Sequence, residues 1–167
     1  ALDTNALSFL NSKDNNKFYD IVSCQFALHY FAQSDNSLKQ VLNLVSNKLI
    51  KGGLFIGTAT NGDLIKNILE NGNVSIPLLT LMTKNNGYLF HIDSTDNKFR
   101  KNYFEIQGVS EEYYLMKDKF IQIALECNLE IVNIESFYEW YGKYSGKLSI
   151  YEQIISFLNF SFVFKKI

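Results

Sequence analysis

FYDIVSCQFALHYF, residues 18–31, is the stretch whose reading decides the fold. Residues 18–24 are apolar and rich in β-branched side chains, the composition of a fully covered parallel strand. Gln25, Phe26, His29 and Tyr30 then follow at its carboxyl end. In open α/β sheets ligands bind beyond the carboxyl ends of the strands. A strand that only closes a core seldom ends in three large hydrogen-bonding side chains. This one is expected to end at a site.

The segments that follow extend the pattern. Residues 37–49 place Leu38, Val41, Leu42, Val45 and Leu49 at helical spacing. Lys51-Gly52-Gly53 breaks that helix, and residues 54–59, LFIGTA, read as a second short buried strand. Asn61 or Asp63 can cap a helix over 64–69 that stops near Gly72. Between 73 and 109 the character changes: residues 88–92 and 103–106 alternate as antiparallel strands joined by a polar loop. Residues 112–127 read as a helix with Tyr114, Leu115, Phe120, Ile123 and Ala124 buried. Residues 129–137 and 160–164 read as strands, with a loop and a short helix over 142–157 between them. The last two strands follow each other without a full crossover helix, so one of them is expected to run antiparallel to the rest. The pattern is half of a doubly wound α/β sheet with an inserted hairpin.

Composition narrows the function classes. The chain has 167 residues, 47% of them hydrophobic, enough for one domain with a real core. A net charge of −1 provides no global field for nucleic acid, so any RNA contact must be local. Arg100 is the only arginine, against many lysines, asparagines and isoleucines, a codon signature of an AT-rich genome. Cys24 and Cys127 have neither metal-ligand nor disulfide-framework spacing and read as small, reduced core residues. No run approaches the roughly 18 apolar residues of a membrane helix, and no signal peptide is expected. The chain opens in mid-pattern at Ala1 and is expected to be a fragment.

The order D-x-V-S-x-Q-F-x-x-H-Y (Asp20, Val22, Ser23, Gln25, Phe26, His29, Tyr30), then L-x-x-G-G-x-F-I-G-T from Leu49 to Thr58, resembles the messenger-RNA cap guanine-N7 methyltransferases. The Gly-Gly turn is shared with many class I methyltransferases; the Q-F-x-x-H-Y run is much narrower. Glu112-Tyr113 and the FYEWY run from Phe137 to Tyr141 are similar to two further landmarks of that family. The resemblance implies a Rossmann-like class I methyltransferase sheet that lacks its first three strands, with an inserted antiparallel hairpin at about 73–110. It implies S-adenosylmethionine as cofactor and the capped 5′ end of mRNA, GpppN, as substrate. Other capping-enzyme domains or an N-terminal segment would be partners. The location would be the nucleus in a cell, or the host cytoplasm or virion for a virus, with no membrane.

Roles follow position by position from the same resemblance. Asp3 resembles the acidic residue that receives the cofactor's adenine amino group. Gln25 and Tyr30 are similar to residues lining the cofactor side. His29 and Glu112 resemble the pair that holds the cap guanine, and Phe26 a residue packed in the same cleft. No catalytic residue and no metal are implied, because guanine N7 has a free lone pair and no proton to lose. Transfer needs alignment of sulfonium methyl and N7, and a carboxylate to favour the ring as it becomes cationic. Three departures stand out. The family's glycine-rich loop, D-x-G-C-G-K-G-G in type, does not occur in this sequence. Asn159 stands where relatives have a cap-contacting tyrosine, and Thr60 where they often have proline. Alternatives are a class I methyltransferase acting on another RNA position, a protein or a small molecule, or a non-catalytic subunit that binds cap or partner.

Overall fold

The computed structural model describes residues 17–92, 109–144 and 146–167. Asp3 and the expected strand over 103–106 lie outside the described residues. Two four-stranded sheets are formed, and both bear on the carboxyl end of the opening strand.

The first sheet has the order β1-β2-β8-β7, with β1 at Tyr19–Gln25, β2 at Leu49–Thr60, β7 at Leu129–Ser136 and β8 at Asn159–Lys166. β1 runs parallel to β2, and α1 (Asp35–Lys48) makes the crossover between them. β8 is antiparallel to both β2 and β7, although helices at Phe137–Tyr144 and Ile150–Phe157 lie between β7 and β8. Ser34 caps α1, its hydroxyl accepting from the Ser37 amide. The Lys51-Gly52-Gly53 break falls inside a continuous β2. Tyr19 pairs with Leu49 but Ile21 with Leu54, so residues 50–53 bulge outward, and Gly52 takes φ +82°. β1 is parallel as expected but not covered. Phe18, Tyr19 and Ile21 are exposed, because β2 is the only strand paired with it among the described residues.

One face of this sheet packs on α1 and α3 (Lys117–Glu126) through an aromatic core. Phe55, Phe120, Phe160, Phe162 and Phe164 are all fully buried, and the Phe120 and Phe164 ring centroids stand 4.9 Å apart. Each such side chain contributes roughly 1.5–3 kcal/mol through burial. Gly57 makes room for them. A Cβ there would lie 2.1 Å from the Cys24 carbonyl oxygen and 2.4 Å from Phe162 Cζ. On the opposite face, Trp140 of α4 (Phe137–Tyr144) donates its indole N–H to Ser161 Oγ at 2.8 Å. α5 (Ile150–Phe157) follows, closed at its start by a Ser149–Glu152 capping box.

The second sheet is antiparallel throughout: β3 (Val74–Ile76), β4 (Leu79–Lys84), β5 (Gly87–His91) and β6 (Ser110–Tyr113) in that order. The inserted hairpin is thus one part of a larger unit. The β3–β4 turn carries Pro77 and then Leu78 at φ +76°, the third position of a type II turn. A second core of Leu79, Leu81 and Tyr88 packs this sheet against Ile65 and Leu69 of α2 (Gly62–Glu70) and against Leu158.

Two details bind this unit to the first sheet and correct the expected helix over 112–127. Glu112 lies in β6, opposite Tyr88, and the helix begins only at Lys117. Strand pairing with β5 supplies the hydrogen bonds that a helix would have made locally. The chain then passes over Gly62, whose amide donates to the Leu115 carbonyl at 3.1 Å. A Cβ on Gly62 would meet the Leu115 backbone at 2.5 Å. Asn61 caps α2, whereas Asp63 accepts from the Lys117 amide at 2.9 Å and so serves α3.

Replacing Gly57 by alanine is expected to destabilise the protein by about 1–3 kcal/mol through overpacking. Gly142→Ala, within α4 and with open space around its Cβ position, is expected to be neutral or stabilising by up to about 1 kcal/mol. Urea unfolding of both variants checks the pair; equal midpoints would contradict the packing described for Gly57.

Candidate functional site

The chain turns sharply where β1 ends. Phe26 takes φ +49°, a left-handed conformation that is costly for a bulky residue. Its amide donates to the Thr58 carbonyl at 2.9 Å, which holds the turn to β2. Gln25 is fixed beside it: its Oε1 accepts from the Thr58 hydroxyl at 2.9 Å and its Nε2 donates to Ser23 Oγ at 2.8 Å. Both Gln25 and Phe26 are exposed, and the Phe26 ring meets Phe137 edge-on at 6.0 Å. The reversal sends the next residues inward as a 3-10 turn, Leu28–Phe31. His29 is thereby buried, with Tyr30 half-buried against it at a ring separation of 4.3 Å.

Facing this turn is Glu112, 5% exposed and so nearly as buried as His29. Four groups converge on its carboxylate. Tyr88 donates to Oε2 at 2.8 Å and Ser110 to Oε1 at 2.9 Å. The Tyr30 hydroxyl reaches Oε1 at 3.5 Å, and His29 Nε2 lies 3.4 Å from Oε2. The Tyr88 oxygen also stands 2.9 Å from Thr60 Oγ1. With its single hydrogen committed to the carboxylate, Tyr88 receives the Thr60 hydroxyl as a donor. His29 is within ion-pair reach of Glu112, yet neither ring nitrogen has hydrogen-bond geometry to any partner. Two buried polar atoms thus remain available beside a carboxylate, a combination that suits a polar ligand edge.

Burial and charge set the protonation states. Burial lowers the His29 pKa from 6.5, with the Glu112 charge acting in the opposite direction. The imidazole is therefore neutral near pH 7, with one nitrogen a donor and the other an acceptor. Burial first, then the Glu112 charge, raise the hydroxyl pKa of Tyr30 and push that of Tyr88 well above 10.0. Both phenols stay protonated and serve as donors. Among the described residues no group of three or more His, Cys, Asp and Glu could hold a metal. No described helix is long and apolar enough to cross a membrane.

The structure brings Gln25, Phe26, His29, Tyr30 and Glu112 to one end of the first sheet; Asp3 lies outside the described residues. It turns the Tyr30 hydroxyl toward Glu112. Asn159 caps α5, its Nδ2 donating to the carbonyls of Ile155 and Ser156 at 3.1 Å each. Sequence reasoning missed Thr58, Thr60, Tyr88 and Ser110. A strand reading of residues 110–113 would have found Ser110, since residues two apart in a strand share a face.

A sequence model of the mRNA (guanine-N(7))-methyltransferase domain matches residues 5–156. The chain belongs to that family. A cap guanine-N7 methyltransferase of Oryza sativa is 30% identical over 142 residues, which cover 77% of this chain and 36% of that protein. A probable mRNA-capping enzyme of Acanthamoeba polyphaga mimivirus is 24% identical over 141 residues, 77% of this chain and 12% of that enzyme. The chain thus spans about a third or less of these methyltransferases and capping enzymes, which come from eukaryotes and a virus. Among solved structures, an S-adenosylmethionine-dependent methyltransferase from Clostridium acetobutylicum superposes with a TM-score of 0.55 at 14% identity. It covers 93% of this chain and 61% of its own. An amino pentose methyltransferase from Micromonospora echinaspora, with S-adenosylmethionine bound, gives 0.52 at 10% identity, covering 95% and 62%. These likenesses establish the class I methyltransferase fold.

The depressed His29 pKa has a stability consequence. As pH falls, the unfolded chain takes up the proton near pH 6.5, before the folded one does. Stability therefore drops as pH falls from about 6.5 through the lower folded-state pKa, and is unaffected by this group above that window. Urea unfolding between pH ~7.5 and ~5.5 should show a smaller acid loss for His29→Asn than for the parent. Parallel curves for the two would mean that His29 is not buried as a neutral ring.

Proposed function

We propose that the protein to which this chain belongs is an mRNA cap guanine-N7 methyltransferase that transfers methyl from S-adenosylmethionine to N7 of the GpppN guanine. The observation that carries this reading is the buried Glu112 carboxylate paired with a neutral His29 at the carboxyl end of β1. A guanine presents two donors, N1–H and the 2-amino group, and one acceptor, O6. A carboxylate and an imidazole N–H match that edge in number and kind.

Gln25, exposed at the end of β1, and the half-buried Thr58 that holds it suit S-adenosylmethionine, and Asp3 is assigned to its adenine. When bound, this cofactor supplies an electrophilic sulfonium methyl group. Glu112 accepts from N1–H and the 2-amino group, and His29 donates to O6. Phe26 and Tyr30 bound the cleft between the two ligands. This holds N7 in line and excludes water, which is worth several orders of magnitude without any general base. The same carboxylate favours the ring as positive charge develops on it. An adenine offers an acceptor at N1 and lacks the 2-amino group, so it leaves Glu112 unpaired at a cost of about 1–3 kcal/mol or more. The second sheet, about residues 73–110 with its β6 extension, is read as the cap-binding insertion of the methyltransferase domain.

The test is methylation of GpppA against ApppA by the full-length protein. GpppA is expected to be used with a preference of roughly tenfold or more, and Glu112→Gln to lower kcat/KM for GpppA about a hundredfold. Equal use of the two dinucleotides, or an unimpaired Glu112→Gln enzyme, would overturn the cap reading.

A further inference from the structure

The four groups around Glu112 are not equivalent. Each carboxylate oxygen has one short donor and one long contact. Oε2 receives Tyr88 at 2.8 Å and faces His29 at 3.4 Å. Oε1 receives Ser110 at 2.9 Å and faces Tyr30 at 3.5 Å. The long contacts are weak by geometry, and both come from the 3-10 turn after β1. The short ones come from the second sheet itself: Tyr88 sits directly opposite Glu112 in the β5–β6 ladder, and Ser110 two residues before it on the same face. A carboxylate has about four acceptor directions. Two are filled by short bonds from within the sheet, the Ser110 hydroxyl having the Phe90 carbonyl at 3.3 Å as its longer alternative, and two are left to groups that a ligand can replace.

We infer that Tyr88 and Ser110 are positioning residues that hold the Glu112 carboxylate in the orientation that reads the cap guanine, while Tyr30 and His29 give up their contacts to the ligand. This rests on the guanine role assigned to Glu112. The guanine N1–H and 2-amino group then each take one oxygen, in the place of one long contact. Tyr88 is well suited to a fixed role. It is fully buried, its ring packs on Tyr114 at 5.2 Å, and its oxygen is met by the Thr60 hydroxyl of β2. It thereby fixes Glu112 relative to the first sheet as well as within the second. Thr60 is a β2 residue, so the carboxylate is referenced to the strand that also carries Thr58 beside Gln25.

Tyr88→Phe and Ser110→Ala in the full-length protein test this. Each keeps the packing and removes one donor. The expected result is a rise of about tenfold in KM for GpppA with kcat and the cofactor KM within about twofold, and a smaller preference for GpppA over ApppA. An unchanged cap KM in a folded Tyr88→Phe enzyme would overturn the inference. So would a joint fall of kcat and rise of both KM values, the signature of a merely structural role. If Tyr88→Phe does not fold, Ser110→Ala, at a partly buried hydroxyl, decides by the same criteria. Glu112→Gln run alongside separates the two claims. Loss of activity there with normal Tyr88→Phe and Ser110→Ala sinks only the positioning role, whereas normal GpppA use by Glu112→Gln sinks the guanine reading itself.

Discussion

A carboxylate buried beside a neutral imidazole is the constraint on which the rest of the site depends. Removing Glu112 from water costs several kcal/mol even after relaxation. The partners given to it are three hydroxyls and His29, and a hydrogen bond to a charged group returns about 1.5–3 kcal/mol. The short bonds from Tyr88 and Ser110 can offset much of the cost, but only if β5 and β6 are paired in their observed register. A slip of one residue would send Glu112 to the other face and leave Tyr88 without its acceptor. The register of the second sheet and the burial of its carboxylate are thus one problem with one solution.

Close backbone approach makes that solution possible. A Cβ on Gly87 would lie 2.2 Å from the Glu112 carbonyl oxygen, and one on Gly62 would strike the Leu115 backbone. Glycine at these two positions lets β6 lie flat on β5 and lets the following segment cross α2. At the other side of the cleft the strain is accepted rather than avoided. Phe26 keeps a left-handed backbone with a full side chain, because the reversal it makes is what buries His29 and exposes Gln25. A glycine there would ease the turn and remove the ring that meets Phe137.

The first sheet was legible because its signals are local. The β-branched run of β1 and the helical spacing of Leu38, Val41, Leu42 and Val45 fall within short windows, and one antiparallel strand was expected among the last two, the place that β8 takes. The second sheet was not, because its order is set by pairing between distant residues. Ser110 to Tyr113 carries no strand signal strong enough to outweigh the helical stripe that begins beyond it; only the partner strand at Gly87–His91 decides the matter. The same holds for the site. Gln25, His29 and Tyr30 were singled out by their place at a strand end, Glu112 through motif resemblance, and the roles of all four came from that resemblance. Tyr88 sits in a stretch that reads as ordinary strand and Thr60 just past the end of one, and their hydroxyls meet, at 2.9 Å, only once folding brings β2 and β5 together.

On the proposed cap reading, the division between short and long contacts would let a buried carboxylate still receive a base. His29 and Glu112 are almost wholly buried, so a guanine cannot reach them without displacing something. What it displaces is inexpensive: a 3.5 Å hydroxyl contact and an imidazole with no aligned hydrogen bond. What it brings are two aligned donors for the carboxylate and an acceptor for the unsatisfied ring. On that reading, opening would favour a base that can replace both contacts and disfavour one that cannot, since the latter would leave a buried carboxylate with half its donors removed. Selectivity would then arise from what the site loses to the wrong base as much as from what it gains from the right one. It requires that the two remaining donors stay in place while the other two leave.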